Sequence, residues 1–297
     1  MTYKIGMDGG GTKTESILVD ETGAIVARHL SPGCSPSIIG PEAARRTVSD
    51  GLGALVSGRS LSISAFLICA AGSRIFWEEF ARSLTGFGRV SFADDSLPIL
   101  ELATDGGPGL VLHSGTGSFV AARTVTGSPA GAGVHYAGGL GWQFGDPGSG
   151  SDLGRRAVTR GLLEIQGWMA PSELGKLVLA TTGLTGVDAN LRHFYPERPP
   201  QPQIAALAPA VLRLAAGGDA IARALVVESV SGLLDLAIGV AGKLFPGAPA
   251  GSVRAGLSGA ILNHPVAREA LAARSPFALK PIEAPPIEGV RRMLARA

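Results

Sequence analysis

The first residues in this chain able to do chemistry together are Asp8-Gly9-Gly10-Gly11-Thr12-Lys13-Thr14. Apolar residues alternate on either side, so the run reads as strand, turn and strand. Three successive glycines remove every Cβ from the turn and let backbone N–H groups come close to a ligand. A carboxylate before the turn, with two hydroxyls and an ammonium after it, suits an anion accompanied by a divalent cation, such as nucleotide phosphate with magnesium. The run is not a Walker A loop. Counted from Gly6, Thr12 stands where that motif needs lysine, and a strand follows instead of a helix. Nor does it give Gly-x-Gly-x-x-Gly. Taken alone, it reads first as a glycine hairpin turn.

A second unit of the same kind shifts that reading. Strand Leu110 to His113 leads into Ser114-Gly115-Thr116-Gly117-Ser118 and a further strand, Phe119 to Arg123. Two such hairpins about a hundred residues apart suggest a duplicated domain whose halves clasp a nucleotide; otherwise they are two unrelated hairpins. Between them, strand Val90 to Ala93 ends in Asp94-Asp95 ahead of a helix, Leu97 to Thr104. A carboxylate at that junction sits where open α/β sheets bind ligands, although an aspartate there is also an ordinary helix cap. The run Ala137 to Gly154 carries many glycines, Asp146 and several hydroxyls. With Trp142 and Phe144 packed against something, it reads as a loop lining a small-molecule pocket. After strand Val253 to Leu257, Gly259 would let a flat base or ribose approach.

The elements that must hold these groups follow from periodicity. Strands over 3–8, 15–20 and 24–30 form an antiparallel meander, and 31–37 is a loop by composition. A helix over 41–56 starts at Pro41. A buried strand spans 61–71, and the helix over 74–85 lines up Phe76, Trp77, Phe80 and Leu84. Further helices cover 152–166, a stretch opened by Pro171-Ser172-Glu173, 204–216, 219–245 and 266–273; the proline-rich segment 195–203 is a loop. A last strand at 277–282 and a closing helix at 287–297 complete the chain.

At 297 residues the chain is long enough for about two domains. A net charge of +2 without a Lys/Arg-rich run argues against a nucleic-acid partner. The two cysteines, Cys34 and Cys69, form no CxxC pair, which argues against a zinc or iron–sulfur site and for a reducing cytoplasm. No basic-then-apolar leader opens the sequence. The apolar run Leu225 to Phe245 carries Glu228, Asp235 and Lys243, so it reads as a buried helix in a soluble protein, with no membrane partner.

In order and spacing, Asp8-Gly9-Gly10-Gly11-Thr12-Lys13-Thr14, Asp95, Ser114-Gly115-Thr116-Gly117-Ser118 and Gly138-Gly139 through Gly145-Asp146-Pro147-Gly148-Ser149-Gly150 resemble the N-acetylglucosamine kinase-like sugar kinases. These belong to the BadF/BadG/BcrA/BcrD ATPase group of the actin-like, hexokinase-type ATPases. The resemblance spans nearly the whole chain and implies an α/β fold of two ribonuclease H-like domains with an interdomain cleft. The domains would be 1–106, with helix 285–297 packing back on it, and 107–284 with a helical insertion. It implies ATP and Mg2+, a small-molecule sugar substrate phosphorylated on a hydroxyl, O6 by preference, and a homodimer.

Carried over by position, Asp8 would hold magnesium. Gly10, Gly11, Thr12, Lys13 and Thr14 would bind the ATP phosphates, as would Gly115, Thr116 and Gly117. Asp95 would be the base. Ser35, Asp95, Thr116, Gly139 and Asp146 would contact sugar, and Gly259 would lie in the adenosine loop. The sequence departs from the pattern at Leu140, usually tryptophan, at Pro147, usually glutamate, and in a thinner adenosine loop, Ser258-Gly259-Ala260. The group's other branch, the activators of 2-hydroxyacyl-CoA dehydratases, needs cysteines late in the chain, and none lies beyond Cys69. Two other classes stand beside the kinase: an ATPase switch acting on a partner protein, and a sugar-binding protein without catalysis.

Overall fold

The computed structural model describes residues 1–128, 130–195, 201–249 and 251–296. The chain is α/β and divides into two compact units, Met1–Gly106 with Glu283–Ala297, and Gly107–Ile282. In the first unit, β1 (Thr2–Gly9), β2 (Lys13–Val19) and β3 (Ile25–Pro32) form an antiparallel meander. Then follow α1 (Pro36–Ile39), α2 (Pro41–Val56), β4 (Ser62–Ala70), α3 (Arg74–Ser83), β5 (Arg89–Asp94) and α4 (Leu97–Thr104). Strand order is β3-β2-β1-β4-β5, with β4 parallel to β1 and β5 parallel to β4.

Local chemistry sets these boundaries. Pro41 opens α2, and Ala44, Val48, Leu52 and Leu55 bury its inner face. Ser73 caps α3 by accepting from the Phe76 N–H at 3.4 Å, and Phe76, Trp77 and Phe80 join the core under the sheet. The loop expected over 31–37 is shorter than its composition suggests. Ser31 and Pro32 complete β3, where an edge strand tolerates proline, and Pro36 and Ser37 begin α1.

The second unit repeats the plan. Its strands are β6 (Gly109–Ser114), β7 (Ser118–Thr124) and β8 (Gly133–Gly138). After α5 (Gly150–Ile165), α6 (Glu173–Thr182), α7 (Val187–Phe194), α8 (Gln201–Ala205), α9 (Ala208–Ala216) and α10 (Ala220–Leu244) come β9 (Ala255–Ser258), α11 (Pro265–Arg274) and β10 (Leu279–Pro281). The order β8-β7-β6-β9-β10 reproduces that of the first sheet, antiparallel across β6-β7-β8 and parallel across β6-β9-β10. α10 is long and apolar enough to cross a membrane by length and composition. Here Val226, Val230, Leu233, Leu234 and Ala237 bury it in the core against Leu110, Leu112 and Val120.

Three expectations are corrected. Ala137 and Gly138 belong to β8, an edge strand whose short Gly133–Gly138 sequence lacks the β-branched alternation that marks strands. Part of the proline-rich loop is helical, since Gln201–Ala205 forms α8; residues 196–200 lie outside the described residues. The helix over 204–216 is broken between α8 and α9. Pro209 has no N–H to give the Ala205 carbonyl and its ring clashes there, so a new helix starts at Ala208.

The last element, α12 (Pro286–Arg296), belongs to the first unit. Ile287, Val290 and Leu294 pack on Ile17, Val19 and Cys69. Lys4 Nζ donates to the Leu294 carbonyl at 2.8 Å, where a cation also complements the helix dipole. Arg296 pairs with the buried Glu101 of α4 and donates to the Asp105 carbonyl at 2.9 Å. Gly289 lies against α4 so closely that a Cβ would overlap the Pro98 carbonyl. Gly289→Ala is therefore expected to lower stability by about 1–3 kcal/mol through overpacking. A urea-unfolding midpoint equal to that of the parent protein would mean that α12 does not dock on Pro98.

Candidate active site

The first cluster forms at the carboxyl edge of the parallel strands of unit 1. Register places Asp8 on β1 beside Cys69 on β4, and Asp94 on β5 beside Ala70. Asp95 follows directly. The Gly9–Thr12 turn is closed by the Gly10 N–H on the Lys13 carbonyl at 2.9 Å. It is tied to the segment after β3 by Gly33 N–H on Thr12 O at 3.1 Å and Cys34 N–H on Gly10 O at 3.0 Å. Gly11, Thr12 and Lys13 stay exposed, whereas Thr14 is buried, its hydroxyl lying beside the Cys34 thiol without an oxygen or nitrogen partner. Ser35 is buried as the N-cap residue of α1 and meets Ser37 Oγ at 2.9 Å. Asp8, Gly10–Thr14, Ser35 and Asp95 thus share one edge of one unit.

Electrostatics set this edge apart. The Asp8 carboxyl is raised to about 6, first by burial and then by the Asp95 charge, with Lys13 opposing and Glu15 adding a little. Burial also raises Asp95, with Asp94 reinforcing, while the backbone N–H groups of Asp95 and Ser96 counteract. Ser96 is the residue at the N-cap of α4, and its side chain makes no cap hydrogen bond. Asp8 is half-buried and Asp95 keeps an exposed surface, so the repulsion bears chiefly on Asp8, a poor resting arrangement for its carboxylate without a cation.

Among the described residues no group of three or more His, Cys, Asp or Glu is placed to hold a metal. That argues against a cage built wholly by the protein. It fits magnesium, which keeps several waters and takes one or two carboxylates plus substrate phosphates. Asp8 could supply the carboxylate of such a set.

The second cluster surrounds the β6–β7 hairpin of unit 2. The Gly115 N–H donates to Gly117 O at 2.8 Å. The start of α5 grips the loop from behind: Gly150 N–H meets Gly115 O at 2.9 Å, and Ser151 Oγ meets Thr116 O at 2.8 Å. Ser114 and Ser118 hydroxyls donate to the Gly148 and Pro147 carbonyls at 2.6 and 2.7 Å. Gly139 N–H donates to Ser118 O at 3.0 Å. Asp146 is buried beneath this arrangement, and a Cβ on Gly117 would lie 2.8 Å from its Oδ2. Its Oδ1 has no hydrogen-bond partner. Burial raises the carboxyl, while backbone N–H groups of Gly141 and Ser118 hold against the rise. A cavity of about 50 Å³ borders Asp146, lined also by Trp142, Ser151, Asp152 and Arg155.

Gly115, Thr116, Gly117, Gly139 and Asp146 therefore meet around one hairpin. Gly259 joins them: its φ is +96°, and a Cβ would overlap the Ser114 carbonyl, so the close approach it permits is to the protein's own hairpin. Phe144 departs from expectation. The turn closed by Phe144 N–H on Gly141 O at 3.1 Å leaves the ring 80% exposed, while Trp142 lines the cavity. Leu140 is also exposed, and Pro147 packs towards Gly232 of α10.

In the sequence Asp152 reads only as a helix start. It is buried and bonds the Ser229 hydroxyl at 2.7 Å, Arg155 at 2.7 Å and Arg156 at 3.0 Å. Burial alone would raise it, but Ser229 and Arg156 outweigh that and hold it below the usual carboxylate range. The available signal was the i, i+3 and i, i+4 spacing of the two arginines. His113 likewise reads only as a strand residue.

The sequence model of the BadF/BadG/BcrA/BcrD ATPase family matches residues 5–287. The chain is 26% identical over 259 residues to N-acetyl-D-glucosamine kinase of Dictyostelium discoideum, covering 81% of this chain and 79% of that one. It is 33% identical over 176 residues to N-acetylmuramic acid/N-acetylglucosamine kinase of Clostridium acetobutylicum, 54% of each chain. Among solved structures, a candidate N-acetylglucosamine kinase from Chromobacterium violaceum superposes with a TM-score of 0.78 at 27% identity, over 99% of both chains. A ROK family glucokinase from Streptomyces griseus, solved with glucose and AMPPNP, shares the fold at a TM-score of 0.55 and 17% identity over 99% of both chains.

A carboxyl at about 6 in the folded protein and near 3.8 when unfolded binds more protons in the folded state between those values. Stability of the metal-free protein should then fall as pH rises from about 4 to 6, and the deficit should persist above 6. Asp8→Asn removes it, so urea unfolding at pH 7.5 should show a gain on the order of 2 kcal/mol and a shallower slope below pH 6. An Asp8→Asn protein no more stable than its parent at pH 7.5 would contradict the raised carboxyl.

Proposed function

The chain belongs to the BadF/BadG/BcrA/BcrD ATPase family, and on that premise we propose that it is an ATP-dependent sugar kinase. It transfers the γ-phosphoryl group of ATP to a hydroxyl, by preference O6, of an amino sugar or hexose such as N-acetylglucosamine or glucosamine. The observation that carries the proposal is the Asp8–Asp95 pair, two raised carboxyls at the ligand edge of unit 1. The relatives named as N-acetylglucosamine kinases support the substrate class.

The roles divide by chemistry. Asp8 would hold magnesium, which when bound supplies positive charge against the β- and γ-phosphates. The turn Gly10 to Thr14 and the loop Gly115 to Gly117 hold the phosphates, and Asp146 and Gly139 bind sugar hydroxyls. Asp95 accepts the proton of the attacking hydroxyl as the new O–P bond forms and the bond to ADP breaks; it later releases that proton to water. Catalysis is chiefly positioning with charge neutralisation. A base with a raised pKa takes that proton more readily near neutral pH. Ser35 in unit 1 would contact sugar, and Gly259 in unit 2 would border the adenosine.

An ATPase switch without a sugar acceptor is the second reading. It would need the phosphate loops but not a buried carboxyl with a free oxygen behind the second hairpin, and Asp146 favours the kinase on that ground. Asp95→Asn should keep Mg·ATP affinity within about twofold and lower sugar phosphorylation roughly 10²- to 10⁴-fold. Calorimetric ATP titration and a coupled ADP assay measure the two. Near-parental turnover would remove Asp95 as the base.

A further inference from the structure

His113 is the last residue but one of β6, immediately ahead of the Ser114–Ser118 loop. Its ring stacks on Phe119 at a centroid distance of 4.9 Å, and its Nδ1 lies 3.1 Å from Ser258 Oγ at the end of β9. The other nitrogen turns to the loop: a Cβ on Gly115 would lie 3.6 Å from Nε2. The residue is mostly buried but keeps some solvent exposure, unlike Asn263 Oδ1 and His264 Nδ1, which are sealed from solvent without partners. Burial holds the imidazole pKa down at about 4, so the ring is neutral at working pH.

A neutral imidazole has one donor and one acceptor nitrogen. A serine hydroxyl can donate to Nδ1, and when it does the proton resides on Nε2. Phosphate oxygens only accept. A fixed Nε2–H beside a glycine loop is therefore matched to a polyphosphate, and it brings no buried positive charge to be desolvated.

We propose that His113 is a nucleotide-binding residue, its Nε2–H donating to the phosphate chain held over Gly115, with Ser258 fixing the tautomer. This rests on the ATP-dependent reading of the same loop. Ser258 acts through His113 and is a positioning residue.

The test titrates the full-length chain with Mg·ATP by calorimetry, without sugar, for the parent, His113→Asn, His113→Gln and Ser258→Ala. Asparagine reaches about as far as Nδ1 and can keep the bond to Ser258, whereas glutamine reaches the position of Nε2. Loss of a hydrogen bond to a charged group predicts roughly 10- to 100-fold weaker ATP binding for His113→Asn. His113→Gln should recover most of it, and Ser258→Ala should lose a smaller factor. In turnover assays KM for ATP should rise while KM for sugar stays put.

ATP binding by a folded His113→Asn protein within twofold of the parent would overturn the assignment. So would equal losses in the asparagine and glutamine variants, which mark a role in packing on Phe119. If His113→Asn does not fold, parental ATP affinity in Ser258→Ala overturns it instead. A parent protein that binds no Mg·ATP would fail the kinase reading itself, an outcome distinct from all of these.

Discussion

Holding a half-buried carboxyl beside another carboxyl is costly, and unit 1 does so at Asp8, with the more exposed Asp95 near it. Three parallel strands, β1, β4 and β5, end at one edge and carry both acids there. Nothing in the cores demands this. Phe66, Ile68 and Trp77 would pack as well under a neutral edge. A cation beside these acids would relieve that cost. The packing of α12 on the sheet and against α4 offsets that cost.

Unit 2 solves a different problem, that of holding a glycine-rich hairpin still. Serine hydroxyls 114 and 118 and the first residues of α5 tie both ends of Gly115–Gly117 to the 147–151 segment. That segment is in turn anchored through Asp152 to Ser229 on α10. A hairpin held this firmly would pay little ordering cost on binding a ligand. Asp146 is fixed by the same network, its free oxygen held behind the loop instead of being drawn into a local pair.

Much of this could be read from the chain. Asp8 with three glycines, Asp94-Asp95 before Pro98 and Ser114–Ser118 are local patterns whose turn and cap chemistry is encoded within a few residues. Helices with strong stripes, α2 and α3, begin where their Pro41 and Ser73 signals place them. What escaped depends on contacts distant in sequence. His113 gains its meaning from Ser258, 145 residues away, and Asp152 from Ser229, 77 residues away. Gly259 looks like a ligand-facing glycine, yet its missing Cβ is required by Ser114. β8 was hidden because its residues pair with β7 on a sheet edge and carry no alternation of their own.

The acceptor is what most needs measuring. ADP release should be followed with Mg·ATP across a panel of glucosamine, N-acetylglucosamine, N-acetylmuramic acid and glucose, with phosphorus NMR locating the phosphate on the product. A sugar kinase releases ADP stoichiometrically with one of these sugars, puts the phosphate on O6 and is nearly silent without sugar. ADP release at the same rate with and without every sugar would contradict kinase activity and leave an ATPase in its place.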